Sequence, residues 1–409
     1  MIRRSKARKF YMTVARVLGS VDFTRFIVAV IIFQGLWFAL TYQPGLFDEL
    51  FHFEFIRQYS TQFSPFLSGQ TTDWDYLGAA ARNPNYVFYY MMSWPYRIID
   101  FFTNSLFVQV VALRMIFLAA TVGGFFAYRN LLMRIGASKA LANLTMLIVF
   151  LTPVVATFVS VISYDLVIFA LFPVVTLLLL DVIGSSRLGI GKAWGVLTIS
   201  LFASLMKFSF IPLMVAIFAI LAFELWKRGD EVLPQTKRWF GGLNHALKVF
   251  AILVPVLLAI MVLERPVQNT LVYGKPTPPC TDILPEARCK NNPSASRDIS
   301  FSRRKPSDFS PLDPARYTFQ FWIIGIIRSQ SRLMPAKPIL PVVGWFLLVA
   351  TLVGGSIILG FSWQFIKDKY VGPVFVISLV YVAALFFQQY ISYVRLGGPA
   401  AISARYLLP

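Results

Sequence analysis

Blocks of nearly uninterrupted apolar residues recur along this chain, each close to the roughly 20 residues that carry a helix across a bilayer. They fall near residues 26–42, 105–127, 140–158, 165–183, 193–206, 208–226, 248–264, 341–362 and 370–389. A backbone surrounded by hydrocarbon must satisfy its own hydrogen bonds, so blocks of this length predict helices. Nine spans are expected, within a range of eight to ten, because only Lys207 and its neighbours interrupt 193–226. Composition agrees: 57% of the 409 residues are hydrophobic and 14% charged, against roughly 25% charged in a soluble domain. The expected fold is therefore an all-α polytopic membrane protein, which excludes a soluble multidomain enzyme, a disordered chain and a disulfide-framework mini-protein.

The net charge of +19 would suggest nucleic acid in a soluble domain. In a membrane protein it reports topology first, and no nucleic-acid partner is expected. Residues 1–25 are basic and lack an apolar core, so they read as a retained cytoplasmic tail without a cleaved signal peptide. With the N-terminus inside, Arg129, Arg134, Lys139, Arg187, Lys192 and the cluster from Lys227 to Lys248 also fall inside. The organisation expected is a tail at 1–25, a membrane core at 26–264 with an outside loop at 43–104, a long outside loop at 265–340, and C-terminal spans with an outside segment at 341–409. The chain is thus placed in the cytoplasmic membrane with its functional surface outside.

The first outside loop gathers acid. Asp48, Glu49, Glu54, Asp73, Asp75 and Asp100 face only Arg57, Arg82 and Arg97. Pro44-Gly45 predicts a turn, and the aromatic-rich stretch Phe47 to Tyr59 then reads as an amphipathic helix along the membrane surface. On it Asp48 and His52 are four residues apart and share a face, with Glu49 at its edge. A carboxylate beside an imidazole suits a general base or part of a metal site, and equally suits the N-terminus of an interfacial helix.

A first span followed at once by an outside D-E-x-x-H stretch resembles the GT-C superfamily of polyprenyl-phosphate-sugar-dependent membrane glycosyltransferases, and particularly the bacterial DUF2142-like and GT39-like proteins. Further stretches are similar to the same family: Pro84-Asn85-Tyr86 through Tyr90, Arg114 in the second span, Lys207 between two short helices, and Ala404-Arg405-Tyr406 to Pro409. Ala404 departs from the family's Gly, and such proteins continue past the position of Pro409 into further helices, which leaves room for a partner subunit.

The resemblance implies a GT-C-like bundle whose outside loops carry the active site. Its donor would be a polyprenyl-phosphate-linked sugar, and its acceptor a glycan or lipid of the cell envelope. On the residues' own chemistry, Asp48 is the expected base for an acceptor hydroxyl, with Glu49 second, and transfer would invert the anomeric carbon. Lys207 and Arg405 are expected at the lipid phosphate, where cations stabilise the departing charge; His52, Arg57 and Tyr406 complete the expected binding set. Lys207 also fits a lysine snorkelling from a helix end. Asp165 could join Asp48 and Glu49 around Mg or Mn, or simply start a helix.

The loop at 265–340 carries twelve basic against five acidic residues, which suits an anionic head group or glycan, or a solvated loop near an anionic surface. Cys280 and Cys289 fall within it, and an oxidising outside compartment predicts a disulfide between them. Trp74, Tyr89, Tyr90 and Trp94 fit sugar stacking or an interfacial belt. A flippase of lipid-linked glycans, and a polymerase or ligase of lipid-linked oligosaccharide, remain as alternatives to sugar transfer.

Overall fold

A computed structural model describes residues 12–41, 48–66, 76–79, 82–306, 309–330, 332–334, 337–338, 369–399 and 402. The span expected at 341–362, and Asp73, Trp74, Asp75, Arg405 and Tyr406, lie outside the described residues. The helices are α1 (Val21–Thr41), α2 (Glu49–Ser60), α3 (Tyr86–Phe102), α4 (Leu106–Arg134), α5 (Lys139–Leu151), α6 (Pro153–Phe158), α7 (Tyr164–Gly184), α8 (Ile190–Met206), α9 (Ile211–Lys227), α10 (Gly229–Gly241), α11 (His245–Tyr273), α12 (Glu286–Cys289), α13 (Pro293–Arg304), α14 (Pro314–Tyr317), α15 (Ile323–Gln330) and α16 (Val371–Leu396). A two-stranded antiparallel ribbon, Arg332–Met334 with Lys337–Pro338, follows α15.

Six of the described helical segments are long and apolar enough to cross a bilayer: α1, α4, α7, Phe208–Lys227, α11 and α16. The chain is a helical polytopic membrane protein. The block at 140–158 is two helices, because Pro153 forces Thr152 into an extended conformation and starts α6 afresh. The block at 248–264 belongs to a longer helix that runs on through Arg265 and Pro266 to Tyr273, where Gly274 caps it at φ 70°. A criterion of apolarity stops at Arg265 although the helix does not.

Helix α4 packs along α7, α7 along α8, α8 along α11, α9 along α16 and α1 along α4. Between spans there is little hydrophobic driving force, so close approach matters. A side chain at Gly124 would meet the Phe169 ring and the Ala170 backbone, and one at Gly35 would meet Leu118.

The two helices of the first loop are built differently. Rather than lying free on a membrane surface, α2 turns Glu49 inward toward α4 and His52, Phe53, Phe55, Ile56 and Tyr59 inward toward the core that includes α3. Its apolar stripe is matched by the aromatic face of α3, so protein covers the side that the sequence pattern assigned to lipid. Alternating direction brings the C-terminal ends of α1, α8 and α11 and the N-terminal ends of α4, α7 and α9 to the end where α2 and α3 sit. At the opposite end Arg134 and Lys192 both pair with Asp181, and Leu188 N donates to Glu231 of α10.

Candidate functional site: a buried polar constellation over the bundle

Asp48 is the residue that precedes α2, partly buried, and its carbonyl accepts from His52 N at 2.9 Å. Its side chain makes no capping bond to the helix it precedes, so helix capping is not what the carboxylate does. One turn on, His52 is buried, with Nδ1 2.9 Å from the Tyr89 hydroxyl of α3 and its ring edge-on to Tyr164 at 4.8 Å. The Tyr89 hydroxyl is held well above its ordinary pKa, first by burial and then by its neighbours Tyr164, Asp48, Tyr59 and Asp165. Tyr89 therefore keeps its proton, and the direction of its hydrogen bond with Nδ1 follows the tautomer of His52.

Glu49 is 0% exposed, and its carboxylate is consumed. Arg114 of α4 meets it in a fork, Nε to Oε1 at 2.8 Å and Nη2 to Oε2 at 2.5 Å, and Ile162 N donates to Oε1 at 3.1 Å. Arg114 Nη1 also donates to Ala39 O of α1 at 2.9 Å. One buried ion pair thus joins α1, α2, α4 and the turn before α7. Glu49, the second candidate base in the sequence, thus has both carboxylate oxygens taken up by Arg114 and Ile162.

Lys207 occupies the single extended residue between α8 and the turn at Phe208–Phe210, with φ −146° and ψ 117°. That break turns its side chain inward, where Nζ forms a buried ion pair with Asp165 Oδ1 and stands 5.5 Å from the Tyr164 ring centroid. Lys207 is 7% exposed and Asp165 2%, so this lysine does not snorkel. Asp165 is placed by Ser163, the residue before α7, whose hydroxyl accepts from Asp165 N at 3.2 Å. Asp165 thus stands in the first turn of α7, with Ser163 as the residue that caps it.

The structure brings together Asp48, Glu49, His52, Asp165 and Lys207. It leaves out Arg57, which is exposed on the other side of α2 with Nη1 3.6 Å from Glu54. A Mg or Mn site built from Asp48, Glu49 and Asp165 does not assemble. Glu49 and Asp165 already face Arg114 and Lys207, and among the described residues no three His, Cys, Asp or Glu side chains converge as ligands.

Beside the constellation stands a second cationic feature that pattern reading passes over. Arg265, fully buried near the end of α11, reaches the Tyr59 hydroxyl with Nη2 at 3.3 Å and lies 4.1 Å over the Tyr86 ring. Burial pushes the Tyr59 hydroxyl up to about 12 despite the neighbouring guanidinium. An arginine at the end of an apolar block was the available signal. Above it lies a lid from Lys275 to Lys305, in which Cys280 and Cys289 form a disulfide. Lys305 Nζ fastens the lid to Val394 O and Arg395 O at the end of α16.

Comparisons of the chain with protein-family models, with curated proteins and with solved structures return no match.

Proposed function

We propose that the chain is a GT-C-type membrane glycosyltransferase that moves a sugar from a polyprenyl-phosphate donor to a glycan or lipid acceptor of the cell envelope, on the outer face of the cytoplasmic membrane. The observation that carries this reading is the meeting of a partly exposed carboxylate, Asp48, with the buried group His52, Tyr164, Asp165 and Lys207 from separate segments. Intramembrane ionisable groups are costly and mark functional sites by default. The basic residues Arg134, Lys192 and Arg228 at the opposite end of the bundle support a site that faces outside.

In this reading the acceptor hydroxyl passes its proton to the Asp48 carboxylate as its oxygen bonds the anomeric carbon. The bond from that carbon to the phosphate oxygen breaks, and its electron pair leaves on the polyprenyl phosphate. Attack opposite the leaving group inverts the centre. Lys207 turns part of its charge from Asp165 to the departing phosphate. Arg405 and Tyr406 belong to this proposal through resemblance alone, and a bundle of nine spans and a cytoplasmic N-terminus belong to it through the apolar blocks and basic residues of the sequence.

The test is transfer from a panel of radiolabelled polyprenyl-phosphate sugars by the protein in lipid. Asp48→Asn should lower transfer by roughly 100-fold or more, within the range that proton transfer contributes, with donor binding and expression kept. Normal transfer by that variant removes Asp48 as the base. A second reading, a carrier of lipid-linked glycans, draws on the same buried pairs, since coupled carriers also hold paired charges inside apolar helices. Movement of labelled lipid across vesicles without any transfer would decide for it.

A further inference from the structure

Arg82 is 6% exposed, and among the described residues no carboxylate lies within ion-pair distance of it. Its Nη1 donates to Gln268 Oε1 of α11 at 2.8 Å, and the Tyr273 ring lies 5.9 Å from the guanidinium carbon. Its Nε, also buried, has no hydrogen-bond partner among the described residues. A guanidinium cannot shed its proton to escape burial. The fold therefore carries a desolvated charge with no described carboxylate beside it, and one hydrogen bond unmade.

The backbone that presents Arg82 is strained as well. Gly78 and Ala79 stand at φ 62° and 61°, and left-handed geometry is disfavoured for a residue with a Cβ such as Ala79. Arg82 N donates to Ala79 O at 3.0 Å and closes this loop. Gly78 sits directly under the lid, where a Cβ would come within 2.8 Å of Asn292 Cβ and 2.9 Å of its backbone nitrogen.

Arg82 lines a cavity of about 830 Å³ between this loop, the lid, the end of α16 and Phe208. That volume is within the roughly 300–1,000 Å³ of small-molecule sites. The other charged groups in its wall are Arg303, Arg395, Glu286 and Asp298. Both carboxylates are engaged: Glu286 by Arg303 and Lys290, Asp298 by Arg297 and Arg395. The positive charge left over is that of Arg82. Phe208, next to Lys207, adds an aromatic surface to the cavity, and Asn83, Ser294 and Ser302 bring groups that bond hydroxyls.

We propose that this cavity binds a saccharide bearing a phosphate or carboxylate, with Arg82 as the buried anchor for the oxyanion and Arg395 at the rim. The inference is independent of sugar transfer, since it needs only the cavity and its unpaired cation.

The test is calorimetric titration of the full chain in zwitterionic nanodiscs with glucose 1-phosphate, glucuronate and glucose. Both anionic sugars should bind at least about tenfold more tightly than glucose, the margin of one good charge-assisted pair. Arg82→Gln should remove that margin. Arg82→Lys, which keeps the charge but not the fork, should remove part of it. Arg395→Gln, an exposed change that leaves the fold alone, should weaken binding about threefold, and it keeps the test decisive if the Arg82 variants fail to fold. Glucose binding as well as glucose 1-phosphate would overturn the proposal, as would unaltered affinity in an Arg82 variant with the native thermal midpoint. Loss of glucose 1-phosphate binding when phosphatidylglycerol replaces the zwitterionic lipid would overturn the saccharide and assign the oxyanion to a lipid head group.

Discussion

Two sets of ion pairs at the same end of the bundle are built on opposite terms. In the core, Glu49 with Arg114 and Asp165 with Lys207 match one acid to one cation, every side chain at most 8% exposed, and each pair joins segments far apart in sequence. On the lid, Glu286 and Asp298 each face two cations, and every partner is at least a third exposed. An exposed pair is screened and contributes little, whereas breaking a buried pair strands a charge in a low dielectric. The core pairs therefore fix where Asp48 and His52 stand. The lid depends on its disulfide, on the fit of Gly78 beneath Asn292 and on Lys305 for its position.

The largest effect expected from this contrast is that of Glu49→Gln, which leaves Arg114 buried without its counter-charge. A loss of about 3–5 kcal/mol is expected, seen as a lowered thermal midpoint in nanodiscs. Replacing Glu49 and Arg114 together by Met should recover most of it. A native midpoint in the single variant would erase the distinction between core and lid.

Lys207→Met should destabilise by a similar mechanism, to a smaller extent because Lys207 keeps some access to solvent. Combining it with Asp165→Leu should restore the midpoint but not the binding of a polyprenyl-phosphate sugar. Restored donor binding in that pair would make Asp165 and Lys207 as purely structural as Glu49 and Arg114.

Smaller still, and confined to the lid, is the effect of replacing both Cys280 and Cys289 by Ser. Their separation of nine residues gives a closure entropy of about 2–3 kcal/mol. Amide exchange should rise between residues 276 and 305 while α4 and α7 stay protected. Faster exchange in α4 or α7 would show that lid and core are one cooperative unit.

The smallest effect is that of Glu286. The hydrogen bond from Arg303, chiefly, holds its carboxyl below the ordinary value of 4.5, and Lys290 adds to this. A depressed acid contributes stability above its unfolded value and loses it as pH falls through the folded one. Lid protection should therefore fall on that acid side in the native chain and lack the step in Glu286→Gln. The core midpoint should be the same in both.

How far the site was legible in the sequence differs residue by residue. Lys207 declared itself because a lysine between two apolar blocks has few cheap fates. Its partner Asp165 drew notice separately, as an acid at a span's start, and nothing in the spacing says that the two meet. Asp48 and Glu49 are adjacent and look equivalent in sequence. The turn into α2 aims them differently, so that one is sealed against Arg114 and the other stays partly open. Arg57 lies one helical turn and a residue beyond His52 yet faces away, because the buried stripe of α2 runs through Phe53, Ile56 and Tyr59. Arg82 was visible only as a charge in a loop and Arg265 only as a charge at the end of an apolar block, since their burial depends on the lid and on the end of α11.

The sequence by itself determined that the chain is helical and membrane-spanning, and roughly where its apolar helices run. These follow from the solvation of single segments, each of which meets the bilayer on its own. The tertiary structure alone decided which acid meets which cation, that α2 faces protein, and that Arg82 is buried beside a cavity without an acid of its own. Those outcomes depend on contacts between distant segments, and the free energy of a buried charge is set by whatever the rest of the fold places beside it.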